Sequence, residues 1–271
     1  MQTLAEIRSL LESRGFAPRK SFGQNFLIDQ NLLRKLVDSS EVGPGSLVLE
    51  VGPGTGTLTE ELLDRGAEVI ACELDRGLCE LLRERLGANE RFTLIEGDCL
   101  AKKSELEPEV VRTVGGRGVS LVANLPYGAA TPLIMTLLVD HPNCERMCVT
   151  IQREVAERLA AAHGSKAYGP ISVVAQSCAE VRIIANLPPS CFWPRPEVNS
   201  AMVRIDRLGH PLCGDLQGLA LLSKRLFSSR RKQLGSVLGR NFPFPDGVDP
   251  GARVESLTPA QIVGLLQARV S

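Results

Sequence analysis

Nowhere in the 271 residues does an apolar run approach the roughly 18–20 residues of a bilayer-spanning helix. Residues 1–15 mix charge with leucine instead of showing a basic start, an apolar stretch and a small-residue cleavage site, so the expectation is a cytoplasmic protein. Aromatic residues are only 4% of the chain, but 44% is apolar and 23% charged, which excludes a disordered, collagenous or coiled-coil chain. No Cys-x-x-Cys pair occurs among the eight cysteines, and only His141, His163 and His210 are available as imidazole ligands, so no metal is expected. Cys144 and Cys148 beside His141 are the best ligand candidates. Most of the cysteines, such as Cys72 after Val69-Ile70-Ala71, read better as reduced, buried small hydrophobes. Net charge is absent too, but its distribution is uneven. Residues 191–271 hold 11 basic and 6 acidic residues, against 20 and 25 in residues 1–190. An acidic part facing a small or cationic ligand and a basic part facing an anion fit that asymmetry.

What is present is an alternation of short apolar runs with helical periodicities. Thr3 to Glu6 reads as a capping box for a first helix stopped by Gly15, and a second helix starts at Asp29 to bury Leu32, Leu33, Leu36 and Val37. Strand-type runs follow at 47–51, 68–74, 92–96, 119–124 and 147–152, with helical patterns at about 57–64, 76–86, 131–139 and 153–162. Runs apolar on both faces and separated by helices predict an α/β fold, a doubly wound and mostly parallel sheet. A helix near 170–179 then precedes strands at 181–187 and 201–207, which are close enough in sequence to pair antiparallel. The remainder reads as helical, at about 215–227, 229–239 and 258–269. This suggests a main domain at 1–208 with an N-terminal helical extension, and a small all-helical C-terminal domain at 209–271.

Glu50-Val51-Gly52-Pro53-Gly54-Thr55-Gly56 directly follows the first strand of the sheet and opens a helix, where such folds receive nucleotide-like ligands. A dinucleotide site wants its third glycine one position later, where Thr57 stands, and Glu50 is awkward beside a pyrophosphate. Glu73 and Asp98 recur at the ends of the next two strands. Glu73 there can bridge two ribose hydroxyls and Asp98 can accept from an adenine amino group, the requirements of the cationic nucleoside S-adenosylmethionine. A bare turn and a dinucleotide-dependent oxidoreductase remain as alternatives. The fourth strand ends in Asn124-Leu125-Pro126-Tyr127. An exocyclic adenine amine is a poor nucleophile because its lone pair is delocalised into the ring. Acceptors for its two N–H groups, the Asn124 side chain and the Pro126 carbonyl, would favour a pyramidal nitrogen, while Tyr127 offers a stacking face. The bland alternative is a strand-ending turn.

These motifs resemble the small-subunit ribosomal RNA adenine N6,N6-dimethyltransferases over nearly the whole chain. The resemblance includes Lys20-Ser21-Phe22-Gly23-Gln24-Asn25-Phe26-Leu27, the glycine loop, Glu73-Leu74-Asp75, Glu96-Gly97-Asp98 and Asn124 to Tyr127. It continues through Gln152-Arg153-Glu154, Ser165-Lys166-Ala167-Tyr168-Gly169, Phe192-Trp193-Pro194-Arg195-Pro196-Glu197-Val198-Asn199-Ser200 and Phe227 to Lys232. It implies a Rossmann-like class I methyltransferase, S-adenosylmethionine as cofactor, and two methyl transfers to each of two adjacent adenosines near the 3′ end of the RNA in a maturing small subunit. The enzyme is expected to act as a monomer, without membrane or metal. Carried over, the cofactor contacts are Asn25, Leu27, Gly52, Gly54, Glu73, Asp98 and Asn124, and the catalytic target-base contacts are Asn124, Pro126, Tyr127 and Phe192. Gly128-Ala129-Ala130 is less polar than the family often is, which weakens any side-chain contact there.

Phe192 is expected to stack on a flipped adenine opposite Tyr127, against the alternative of a core residue. Lys224, Arg225, Arg230, Arg231 and Lys232 put five cations within nine residues. In a basic segment this favours RNA phosphate contact by Arg230, Arg231 and Lys232 over a merely solvated face. Two rivals stay open: a large-subunit rRNA adenine methyltransferase, and a non-catalytic assembly or transcription factor on the same fold.

Overall fold

The computed structural model describes residues 2–19, 23–239 and 241–269, so Lys20, Ser21 and Phe22 of the first motif lie outside the described residues. Helix α1 (Leu4–Glu12) carries the expected reciprocal cap between Thr3 and Glu6. The short strand β1 (Phe26–Leu27) precedes α2 (Gln30–Ser40), whose cap is the Asp29 carboxylate accepting from the N–H groups of Asn31 and Leu32. The alternating part runs β2 (Leu47–Val51), α3 (Thr57–Asp64), β3 (Glu68–Glu73), α4 (Arg76–Leu86) and β4 (Phe92–Glu96). A small hairpin, β5 (Leu100–Lys102) and β6 (Glu105–Leu106), interrupts it before α5 (Pro108–Val114), β7 (Val119–Asn124), α6 (Tyr127–Asp140), β8 (Cys144–Gln152) and α7 (Arg153–Leu159). Then come α8 (Pro170–Cys178), β9 (Ala179–Leu187), β10 (Phe192–Trp193), β11 (Ser200–Arg207), α9 (Leu216–Ser228), α10 (Leu234–Leu238) and α11 (Pro259–Ala268).

Seven strands form one sheet in the order β4-β3-β2-β7-β8-β11-β9. The first five are parallel, while β11 lies antiparallel to both β8 and β9 and so brings the late pair back onto the sheet. Every residue of β2 is buried, and alternate side chains serve opposite faces: Leu47, Leu49 and Val51 join one apolar cluster and Val48 the other. Strand order turns between β2 and β7, so their carboxyl ends open onto the crevice where this architecture binds ligands.

The C-terminal helices α9 and α11 pack on α8, and Leu219, Leu222, Leu226 and Ile262 belong to the same apolar cluster as Leu121 of the sheet. Three helices differ from the sequence reading, which had none at α5. Helix α6 starts at Tyr127 rather than about 131, with Pro126 at the N-cap position and Pro132 inside the first turns. The helix expected at 229–239 reduces to Leu234–Leu238. Residues 229–232 turn instead, Gln233 bridges to Arg253, and the Leu234 N–H donates to the Ala252 carbonyl. Among the described residues no helix is long and apolar enough to cross a membrane.

Candidate active site

The glycine loop has the backbone its sequence demands. Gly52 has φ 74°, and an added Cβ would stand 3.2 Å from Pro126 Cγ. Gly54 has φ 62°, and its Cβ would stand 2.8 Å from the Phe26 ring. The loop therefore lies pressed between the strand end that carries Pro126 and the N-terminal segment that carries Phe26. Between these elements opens a cavity at the carboxyl ends of β2, β3, β4 and β7. Asn25, Leu27, Gly52, Gly54, Glu73, Asp98, Asn124, Pro126 and Tyr127 all line it.

Two carboxyl groups are buried in its wall. Glu50 is 1% exposed and accepts from the Thr59 hydroxyl at 2.7 Å. Burial pushes its pKa up to about 8, against the pull of that hydrogen bond. Glu73 is held between main-chain donors, the N–H of Asp75 at 2.9 Å and that of Gly54 at 3.2 Å. Burial again dominates and pushes it up to about 7. Neither forms an ion pair with a basic side chain among the described residues, so the cavity wall is short of positive charge. A cation fits such a wall and a pyrophosphate does not. Asp98 is exposed beside it, with Oδ1 accepting from the Leu100 N–H at 2.9 Å.

At the opposite edge, Asn124 ends β7, and its side-chain amide donates to the Asn25 carbonyl at 2.8 Å. With the NH₂ group tied down, Oδ1 is the end left to accept. The Pro126 carbonyl accepts from the Ala129 N–H at 3.0 Å, which uses one of its two lone pairs. Tyr127 is the first residue of α6, half-buried, and its hydroxyl bonds the Ser200 hydroxyl at 2.7 Å. Burial raises the Tyr127 pKa, so the phenol stays protonated.

Phe192 corrects the sequence expectation. It is 1% exposed, does not line the cavity, and packs in the apolar cluster of Leu27, Val48 and Met202. The reason is strand pairing: β10 runs antiparallel to β1 with Leu27 opposite Phe192 and Phe26 opposite Trp193. Phe192 and Leu27 are buried, whereas Trp193 stacks on Phe26 at 6.2 Å under the Arg8 guanidinium. The Phe192-Trp193 segment thus fastens the N-terminal strap, with the Phe192 ring in the apolar cluster and not in the cavity lining.

The three cations divide as well. Arg230 is one-third exposed, but its guanidinium is committed to partners within the protein. Its Nε donates to Glu255 at 2.5 Å, and its terminal nitrogens donate to the carbonyls of Ser165, Lys166 and Tyr168 at 3.0–3.1 Å. Arg231 and Lys232 are exposed. Cys144 and Cys148 sit in separate apolar clusters with thiols pushed up to about 12 by burial, and no cluster of described residues is arranged to hold a metal ion. Sequence reading missed Thr59, Ser200 and the Asn25 carbonyl. Each meets its partner through the fold, 9, 73 and 99 residues away in the chain, and no local sequence pattern marks the pairing.

A doubly wound sheet with a glycine loop after its first parallel strand and carboxylates at the next strand ends defines a Rossmann-like, class I methyltransferase fold. Residues 15–267 match the family described as ribosomal RNA adenine dimethylase, and the chain belongs to that family. It is 39% identical over 274 residues to ribosomal RNA small subunit methyltransferase A of Phenylobacterium zucineum, covering 99% of this chain and 94% of that one. The Clostridium perfringens protein of the same name is 37% identical, covering 96% and 94%. Among solved structures, the 23S rRNA methyltransferase ErmE superposes with TM-score 0.71 at 26% identity, covering 91% of this chain and 100% of that one. A dimethyladenosine transferase from Plasmodium falciparum shares the fold, with TM-score 0.73 at 22% identity over 88% of this chain and 94% of that one.

Proposed function

We propose that this protein dimethylates N6 of two adjacent adenosines near the 3′ end of small-subunit rRNA during ribosome assembly, with S-adenosylmethionine as methyl donor. The observation that carries this reading is one cavity with two different walls: Glu50 and Glu73, buried and without a basic partner among the described residues, on one side, and Asn124 with its amide oriented by Asn25 on the other. When bound, the cofactor supplies an electrophilic methyl group on a cationic sulfur. Glu73 takes the ribose hydroxyls, Asp98 the adenine amino group, and Asn25, Leu27, Gly52 and Gly54 close around the nucleoside. Asn124 Oδ1 and the free lone pair of the Pro126 carbonyl accept the two N–H groups of the target amine, and the Tyr127 ring holds the flipped base. No general base is required, because the amine loses its proton readily once alkylated.

Small-subunit RNA is favoured over large-subunit RNA because the relatives named for the small subunit stand at 37–39% identity across almost the full chain, against 26% for the 23S enzyme. Turnover is favoured over a non-catalytic role because Glu73 and the Asn124 to Tyr127 run are all in the cavity wall. Residues 209–271, through exposed Arg231 and Lys232, are the RNA-gripping part, and the enzyme works in the cytoplasm as a monomer. The test is incubation of purified protein with immature small subunits and labelled S-adenosylmethionine, followed by nucleoside analysis. N6,N6-dimethyladenosine supports the proposal; unlabelled RNA refutes it.

A further inference from the structure

We infer that Ser200 is a positioning residue for the target base, acting through Tyr127; this rests on the reading of Tyr127 as the stacking surface. With Phe192 in the core, Phe26 and Tyr127 are the aromatic rings lining the cavity among the described residues, and Phe26 is occupied by Gly54 on one side and Trp193 on the other. A base that leaves its helix therefore meets the Tyr127 ring. Stacking needs a fixed ring plane, and a tyrosine at the first position of a helix, half-buried, has two soft torsions to fix. The 2.7 Å bond from its hydroxyl to Ser200 holds the far end of the ring.

Ser200 is a stiff anchor. It is 0% exposed, opens β11, and is paired with Gln152 of β8 on one side and Leu187 of β9 on the other. Its hydroxyl makes no other hydrogen bond among the described residues. A buried hydroxyl without a partner is unfavourable, and alanine would fill the same space in the strand, so the serine is explained by Tyr127 alone. The sheet thereby connects its carboxyl edge across β7, β8 and β11: Asn124 at one end accepts the amine, and Ser200 at the other fixes the ring.

The experiment is a cycle of Ser200→Ala, Tyr127→Phe and the double variant, each removing the same bond. Single-turnover methylation of immature small subunits is measured beside S-adenosylmethionine affinity by calorimetry and the melting temperature. Each single variant is expected to slow methyl transfer about five- to tenfold, the size of one lost hydrogen bond, with the double variant no slower than either. Cofactor affinity stays near the parent's in every variant, the melting temperature falls only in Tyr127→Phe, which strands the buried Ser200 hydroxyl, and recovers in the double variant, and Ser200→Thr, which keeps the hydroxyl, recovers the rate. A Ser200→Ala rate equal to the parent's overturns the proposal, as do effects that multiply in the double variant or a parallel loss of cofactor affinity. A parent without turnover overturns the functional reading itself, and this proposal with it.

Discussion

Asn124 and Asn25, 99 residues apart in the chain, are joined by a 2.8 Å hydrogen bond from the side-chain amide of one to the main-chain carbonyl of the other. The bond makes the N-terminal strap part of the reactive edge, because it decides which end of the Asn124 amide is free. Asn124→Ala should lower methyl transfer by on the order of 10²–10³-fold, as expected for losing an acceptor used in the transition state. Cofactor affinity should change less than about tenfold. Asn124→Asp should be as poor, since its second oxygen faces the Asn25 carbonyl. Turnover of Asn124→Ala within about tenfold of the parent would contradict the role.

Glu50 and Glu73 make stability depend on pH. Both carboxyls stand above the ordinary 4.5, at about 8 and about 7, so between these values the folded protein keeps protons that the unfolded chain has lost. Their stabilising contribution is full below 4.5 and is lost as pH rises through about 7 to 8. The melting temperature of the ligand-free protein should fall between about pH 4.5 and about pH 8 and level off above that, and S-adenosylmethionine should bind more tightly as pH rises through about 7 to 8, since the cation favours the ionised pair. Glu50→Gln removes the larger of the two shifts and should flatten the fall. Melting curves of Glu50→Gln parallel to the parent's at every pH would show that Glu50 does not titrate there.

Phe192 is a core residue and should behave as one. Phe192→Ala is expected to destabilise the fold by about 3–5 kcal/mol, whereas Phe192→Leu should remain folded and keep turnover within about threefold. Denaturant midpoints and initial rates check both. A Leu variant that is stable but inactive would return Phe192 to the base.

The cations should separate in the same way. Arg230→Ala removes a guanidinium that ties Glu255 to the Ser165–Tyr168 loop, and should lower the melting temperature with little change in the salt dependence of RNA binding. Arg231→Ala with Lys232→Ala should leave melting unchanged and flatten the slope of log affinity on log salt by up to roughly 0.7–0.9 per lost contact. An unchanged slope would make these two cations a solvated surface.

Much of the fold was legible because the central strands are buried on both faces. Leu47–Val51 and Val119–Asn124 are mostly apolar runs, broken by Glu50 and by Ser120 before the closing Asn124, and the edge strand Phe92–Glu96 is bounded as expected although Thr93 and Glu96 are exposed. The Thr3 and Asp29 caps were equally readable, since they are local bonds between a side chain and the next turn. Local reading failed where a distant partner decides. The helix expected at about 131–139 begins at Tyr127, with Pro126 at its N-cap position. The helix expected from residue 229 is cut short where Arg230 reaches back to residues 165–168 and Gln233 pairs with Arg253. Glu73, Asp98 and Asn124 could be placed because strand ends converge in this architecture. The burial of Phe192 and the Tyr127–Ser200 bond could not, because each depends on which strands lie side by side.

The most direct measurement is the methyl stoichiometry and position on immature small subunits, with large-subunit RNA as the control and Glu73→Ala and Asn124→Ala alongside. The account predicts dimethylation at two neighbouring adenosines of small-subunit RNA only, restored toward the parent's rate by excess S-adenosylmethionine in Glu73→Ala but not in Asn124→Ala. Methylation of large-subunit RNA instead, or equal turnover by the parent and Asn124→Ala, would contradict it.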